Sequence, residues 1–175
     1  MEVVVLKIAG CVLIVCGCLG IGGYAAVQQM VRIRVLRDLE RMLQYLYGEI
    51  EYAATDMAEI MEYLAFRGGA FGEFCLNMRN SLLSHQGLRF SDYWEREMQY
   101  IQGFESLREE DRELLVQIGG NLGNMDRMTQ LKTLEIFQKR LSGILLLAEK
   151  EYHGKVKIRL VIGGTVGIFL TILLF

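Results

Sequence analysis

The sequence predicts an all-α protein, an antiparallel cytosolic helical bundle whose first and last long helices continue into two transmembrane helices. Three observations lead to this prediction. Proline is absent from the 175 residues, and no stretch alternates apolar and polar residues as a half-buried strand does. Apolar residues recur every three or four positions through the middle of the chain. A long uncharged apolar run stands near each end.

Residues 8–27 form the first predicted span. Their sequence, IAGCVLIVCGCLGIGGYAAV, carries no charge, and as a helix it would be about 30 Å long, the thickness of a bilayer's hydrocarbon core. The run is too long for a cleavable signal, and no small-residue cleavage site follows it. The tetrad ending at Cys11 has the look of a lipoprotein box, but Lys7 leaves almost no apolar stretch before it. We therefore expect an anchor that is retained.

Residues 158–175 form the second predicted span, IRLVIGGTVGIFLTILLF, which is uncharged beyond Arg159. A segment this short would cross with little tilt or thin the bilayer locally. Basic residues follow the first span closely and also precede the second: Arg32, Arg34, Arg37, Arg41, Lys150, Lys155, Lys157 and Arg159. The positive-inside rule then places residues 28–157 in the cytoplasm and both termini outside it.

Small residues recur at every fourth position within both predicted spans. They are Cys18, Gly22 and Ala26 in the first span and Gly163 and Gly167 in the second. This spacing lets helix backbones approach closely in lipid, so we expect these faces to pack on each other or on partner spans. Three cysteines lie in the first span and Cys75 stands alone, which is no disulfide framework.

The periodicity of the middle of the chain predicts the helices of the bundle. One long helix should leave the first span with an apolar stripe of Val31, Val35, Leu39, Met42, Leu46, Ile50, Ala53 and Met57. The last helix should run into the second span with a stripe of Leu131, Leu134, Phe137, Leu141, Leu145, Ala148 and Tyr152.

Shorter helices are predicted between these two. Thr55 should cap a helix that ends at Gly68-Gly69, and a second should cover residues 71–84. Ser91 should cap a third helix that ends at Gly103. A fourth should run from about Ser106 or Leu107 to Leu122, with acidic residues in its first turn.

Residues that could support catalysis or metal binding are sparse. His85 and His153 have no companions at ligand spacing, and the run Glu109-Glu110-Asp111 fits the charged first turn of a helix better than paired acid–base carboxylates. The GGNLG run at 119–123 lacks the preceding strand and following Lys-Ser/Thr of a phosphate loop. Trp94, with Tyr93 and Tyr100, fits a core better than a stacking platform. We expect no enzyme, no cofactor, no metal and, at a net charge of −2, no nucleic-acid partner.

The turn between the fourth and last helices is the main candidate for partner binding. Gly123 and Asn124 should end one helix, and Asp126 should cap the next. Two interpretations stay open for Gly123, Asn124, Asp126 and Arg127. The turn is either purely structural or an exposed, charged surface that docks a partner.

The segment 114–137, LLVQIGGNLGNMDRMTQLKTLEIF, resembles the closing motif of the stage III sporulation protein AB family, an FGxxLGxxD turn followed by a helix with Gln. The matching positions are Ile118, Gly119, Leu122, Gly123, Asp126 and Gln130. Residues 36–57 are similar to the first cytoplasmic helix of that family, at Leu36, Leu39, Leu43, Glu49, Ile50, Tyr52 and Thr55. Gly23-Tyr24 and Trp94 also fit. Asp56 stands where the family usually has proline, so Thr55 must cap alone.

This resemblance implies a component of the channel between mother cell and forespore, related to the inner-membrane platform proteins of type II secretion and type IV pilus machines. A cytoplasmic secretion ATPase, other channel proteins and the bilayer would be its partners, on the mother-cell side of the outer forespore membrane. Whether the chain also forms homo-oligomers stays open. The rivals are a small pore-forming membrane protein, a membrane enzyme, and a platform of another secretion or pilus system.

Overall fold

The computed structural model describes the backbone of residues 2–53, 55–84, 87–122 and 126–174. It describes the side chains of residue 24 and of residues 26–154 within those ranges. All regular structure in these ranges is helical, as predicted. The backbone separates into two compact units, one of Met1–Met30 with Leu147–Phe175 and one of Val31–Leu146.

Helix α1 spans Glu2–Gly48 and is followed by a π-helical turn, Glu49–Ala53. Its predicted stripe is buried from Val35 to Ile50, but Ala53 is exposed and Met57 already belongs to the next helix. Ile33, Leu36 and Leu43 are buried as well, so the apolar face is wider than a single stripe. The sequence prediction missed this widening.

Helix α2, Met57–Arg67, does not begin as predicted. Its N-cap is Asp56, whose carboxylate accepts a hydrogen bond from the backbone N–H of Ala58 at 2.8 Å. The hydroxyl of Thr55 instead donates to the Glu49 carboxylate at 2.6 Å. Aspartate competes well for the capping role, because a short carboxylate accepts strongly from the free N–H groups of a first turn. The predicted end at Gly68 is confirmed.

Helix α3, Gly72–Leu83, matches its prediction, but α4, Phe90–Glu97, begins before Ser91. Ser91 is therefore not the cap. Asp92 accepts from the backbone N–H of Arg89 at 3.2 Å and closes the first turn. Two 3-10 turns, Met98–Tyr100 and Phe104–Ser106, lead to α5, which spans Glu109–Leu122.

Trp94 lies at the centre of the core that the shorter helices form. It is fully buried, meets Phe74 of α3 edge-on at 4.8 Å, and donates from its indole N–H to the carbonyl of Leu115 at 2.9 Å. A Cβ on Gly119 would lie 2.2 Å from the indole ring, so only glycine allows α5 to approach this closely. Trp94 and Tyr93 are core residues, whereas Tyr100 is 40% exposed.

Helix α6 spans Arg127–Leu174 and lies antiparallel to α1 within the 31–146 unit. The Gln138 side chain donates to the carbonyl of Leu43 at 3.1 Å, and the Tyr47 hydroxyl donates to Glu135 at 3.0 Å. From Leu43 to Tyr47 the chain advances along α1, while the partner residue on α6 moves back from Gln138 to Glu135, so the two helices run in opposite directions. Five of the seven predicted stripe positions of α6 are buried: Leu134, Phe137, Leu141, Leu145 and Ala148.

Most residues of the two predicted spans lie outside the described side chains, including Cys18, Gly22, Gly163 and Gly167. Ala26 is described and half-buried. In the same unit, the Gln29 side chain donates to the carbonyl of Ala148 at 3.3 Å. A membrane-crossing helix, with the length and apolar character that this requires, is not found among the described residues.

Candidate functional site

The candidate site lies where α1 ends and α6 begins. We call this region the tip and define it by Glu51, Tyr52, Asp126, Arg127 and Met128. The predicted site residues Gly123 and Asn124 lie outside the described residues, whereas Asp126 and Arg127 are described and exposed.

Asp126 is the N-cap of α6, as the sequence predicts. Its carboxylate accepts from the backbone N–H of Thr129 at 2.9 Å and from the Thr129 hydroxyl at 2.7 Å. Its own carbonyl accepts the first helical bond, from Gln130. These hydrogen bonds, the Thr129 backbone N–H above all, lower the pKa of the Asp126 carboxyl. The cap therefore carries a negative charge at neutral pH, with one edge facing solvent.

Arg127 joins the two long helices at the tip. Its guanidinium donates to the backbone carbonyl of Glu51 in the π-helical turn. The last carbonyls of a helical segment have no partner within it, so the arginine satisfies a group that the end of the π-helical turn leaves open. The sequence marked Arg127 as a partner-binding residue, and the structure adds this bond within the chain.

Apolar side chains accompany the charges of the tip. Tyr52 is 82% exposed and Met128 is 65% exposed. A hydrogen bond with the Glu51 carboxylate raises the pKa of the Tyr52 phenol. Tyrosine, methionine and arginine are enriched where proteins bind each other, so the composition suits a docking surface. Neither Tyr52 nor Met128 was predicted as a partner-binding residue, although both lie outside the predicted apolar stripes.

Sequence reasoning also missed the structural role of Asp111, which lies outside the tip. Its carboxylate receives two hydrogen bonds from the Arg32 guanidinium, at 2.6 and 2.9 Å, and a third from the backbone N–H of Arg108 at 2.9 Å. Both side chains are buried. The sequence pattern presented Arg32 only as one of the basic residues that flank the first span, and Asp111 as part of a charged first turn. Since 79 positions separate them, no local signal reveals the pair.

An open cleft of about 420 Å³ lies beside α1 and the turn between α2 and α3. Arg41, Arg67 and Cys75 are among the residues that line it. Burial raises the pKa of the Cys75 thiol to about 12, which keeps it protonated and unreactive. Among the residues described here, no cluster of three His, Cys, Asp or Glu side chains is placed to hold a metal ion.

The chain was compared with known proteins at three levels. The family model for stage III sporulation protein AB matches residues 7–175. A solved structure titled "Stage III sporulation protein AB (SpoIIIAB)" is similar in fold, with a TM-score of 0.62 and 24% sequence identity. The likeness covers 70% of this chain and 97% of that one. No curated protein sequence matches significantly. Because the family match extends over nearly the whole sequence, this chain belongs to the stage III sporulation protein AB family and takes part in sporulation.

Proposed function

We propose that this chain is a non-enzymatic platform of the channel between mother cell and forespore, which couples a cytoplasmic secretion ATPase to membrane components. The observation that carries this proposal is the bonding of α1 to α6 at successive levels of the bundle. These are the two helices that the sequence predicts to enter the membrane.

The bonds between α1 and α6 form a series that starts at the tip. Arg127 holds the carbonyl of Glu51, Tyr47 donates to Glu135, and Gln138 donates to the carbonyl of Leu43. Each helix is continuous beyond these bonds, α1 back to Glu2 and α6 on to Leu174. A displacement of the tip would therefore move both helices together, which is what a platform must do.

Membrane anchoring by two spans rests on the sequence. Residues 8–27 and 158–175 are apolar, and basic residues flank each on the side of the middle domain. The platform would then hold residues 28–157 in the cytoplasm, where an ATPase can reach the tip. The small residues of the spans would pack against partner spans.

A thiol-labelling experiment tests this topology. We would replace the native cysteines and introduce Leu88→Cys, at a position that is 48% exposed. A membrane-impermeant reagent should label this cysteine only after the cells are permeabilised. Glu2→Cys is the matched control and should be labelled in intact cells. Labelling of the Leu88→Cys variant in intact cells would contradict the topology and the platform role with it.

Docking of the ATPase on the tip is tested with Asp126→Ser. Serine keeps a capping oxygen and removes the charge, so the variant should fold normally by circular dichroism. It should nevertheless lose copurification with the ATPase and form fewer spores. Glu73→Ser, in the exposed first turn of α3, is the matched control and should behave like the parent. An Asp126→Ser variant that binds the ATPase and sporulates normally would reduce Asp126 to a helix cap.

A further inference from the structure

Large apolar side chains are exposed on the unit formed by Met1–Met30 and Leu147–Phe175. Three of them lie on α1 and one lies on α6, and each is between 47% and 68% exposed: Tyr24, Val27, Met30 and Leu147. We call these four residues the apolar belt.

The apolar belt occupies one level of the two helices and faces outward. The side-chain N–H of Gln29 donates to the carbonyl of Ala148 at 3.3 Å, so Met30 and Leu147 lie at the same level. This bond also turns Gln29 toward α6. Successive residues of an α-helix are about 100° apart, so Val27 lies about 160° around α1 from Gln29, on the side away from α6. An exposed apolar surface shared by two helices marks contact with another protein or with a membrane.

The course of the apolar belt around α1 favours lipid over a docked helix. Tyr24, Val27 and Met30 are three residues apart, and each step falls about 60° short of a full turn, so together they cover about 120° of the circumference of α1. A docked helix contacts residues spaced i, i+3, i+4 and i+7, which stay on one face. Gln28, at position i+4 from Tyr24, is half-buried and polar, so such a stripe is interrupted here. Lipid has no fixed shape and can surround the belt.

Polar groups accompany the apolar belt as they do at a membrane surface. The phenol oxygen of Tyr24 accepts from the side-chain N–H of Gln28 at 2.8 Å, so the ring is exposed while its polar end is satisfied. Tyrosine is enriched where a bilayer meets water, because its amphipathic ring suits the headgroup layer. Lys150 is exposed on α6 and lies about 160° around that helix from the buried Ala148. A lysine at this place can lay its stem on apolar surface and its ammonium among lipid phosphates.

The remaining ionisable groups near the apolar belt do not oppose contact with lipid. Residues 24–30 of α1 include no charged residue. On α6, Glu149 and Glu151 are half-buried, and each interacts with another group of the chain. Among the described residues 147–154, the exposed ionisable side chains are both basic, Lys150 and His153. Basic groups are attracted to the negative surface of a bilayer that contains anionic lipid.

We propose that the apolar belt contacts a lipid bilayer and lies in its headgroup layer, on the cytoplasmic side. This contact rests on the anchoring proposed above and moves its edge. The sequence alone leaves residues 28–157 in water, whereas the belt extends the bilayer contact to Met30 on α1 and Leu147 on α6. Residues 147–157, which precede the second predicted span, would then lie along the headgroups. The part of the chain left in water is the 31–146 unit.

The experiment uses nitroxide labels on the full chain in vesicles of phosphatidylethanolamine and phosphatidylglycerol. In a background whose native cysteines are replaced, Val27→Cys, Met30→Cys and Leu147→Cys carry the label in the apolar belt. Arg34→Cys on α1 and Ile136→Cys on α6 are the matched controls, because both positions are exposed on the same two helices. Ile136 is 66% exposed and Leu147 is 62% exposed, so the two differ little within the chain itself.

The measurements are the collision rates of each label with oxygen, which concentrates in lipid, and with a nickel chelate, which stays in water. Labels in the apolar belt should lose most of their collisions with the nickel chelate relative to the control labels, and should gain collisions with oxygen. All labelled positions are exposed, so circular dichroism should show the helix content of the parent for every variant.

Flotation of the labelled chain with the vesicles separates this contact from the anchoring on which it rests. A chain that does not float would overturn both. A chain that floats, but whose belt labels collide with the nickel chelate as often as the controls, would leave the anchoring standing and overturn the contact of the belt. Belt labels shielded from both reagents would show that protein covers the belt, from a second copy or another chain, and would equally overturn the contact with lipid.

Discussion

Arginine and aspartate are used in opposite ways at two places in this molecule. Arg32 and Asp111 form a doubly hydrogen-bonded pair with side-chain exposures of 4% and 0%. Asp126 and Arg127 are adjacent in sequence and exposed. Asp126 accepts from the backbone N–H of Thr129 in its own helix, and Arg127 donates to the carbonyl of Glu51 in the π-helical turn. The residue types are the same, but the surroundings differ.

The comparison shows that burial, rather than residue type, decides how much a charge matters to the fold. Removing one partner of a buried pair leaves the other charge without water or a counter-charge. At the tip, water replaces any bond that is lost, so the same chemical change has a smaller effect. The buried pair therefore serves the fold, whereas the exposed residues of the tip form the surface on which we propose that a partner docks.

The largest effect is expected from breaking the buried pair. Asp111→Ala should lower the free energy of unfolding by about 3–5 kcal/mol, because Arg32 would remain buried and unpaired. Glu110→Ala, at the exposed neighbouring position, should change it by less than about 0.5 kcal/mol. Urea unfolding of the full chain, followed by the fluorescence of Trp94, measures both. A loss below about 1 kcal/mol for Asp111→Ala would contradict the assigned role of the pair.

The double variant Arg32→Met with Asp111→Leu sharpens this test. Apolar side chains can replace a buried ion pair with little loss, so the double variant should be more stable than Asp111→Ala alone. It should stay below the parent, because the bond from the Arg108 N–H to the Asp111 carboxylate is also lost. A double variant no more stable than Asp111→Ala would show that the main contribution of Asp111 is its hydrogen bond with the backbone N–H of Arg108.

A smaller effect on stability is expected from substituting two adjacent glycines, of which Gly119 is buried and Gly120 is exposed. Gly119→Ala would press a methyl group into the indole of Trp94 and should cost about 1–3 kcal/mol. Gly120→Ala meets nothing within 4 Å and should stabilise α5 by up to about 1 kcal/mol. The same unfolding experiment compares them. Equal effects at both positions would refute the close packing of α5 on Trp94.

The smallest effect is expected at the tip. Asp126→Ala should lower Tm by only a few degrees, and Asp126→Ser by less, because serine still accepts from the first turn of α6. The pKa of Asp126 is lowered in the folded state, so its contribution is present above its unfolded pKa and is lost as the pH falls through its folded pKa. The Tm difference between parent and Asp126→Ala should therefore disappear in acid. A difference that persists there would exclude the charged cap.

Local patterns were sufficient to predict the helices and the Asp126 cap within the candidate site. The spacing of Leu39, Met42 and Leu46 predicted the buried face of α1, and the Asp126 cap was read directly from the turn. The first residues of the helices were predicted less accurately than the helices themselves. Asp56 and Asp92, rather than Thr55 and Ser91, close the first turns of α2 and α4, because neighbouring polar residues compete for the same N–H groups.

The sequence by itself determined the all-helical class, the main apolar stripes and the family, because these depend on residues that are close along the chain. Tertiary structure alone decided which charges are buried. Arg32 meets Asp111 and Arg127 meets Glu51 across long stretches of sequence. Side-chain periodicity states which face of a helix is apolar, but only packing states which helix that face meets.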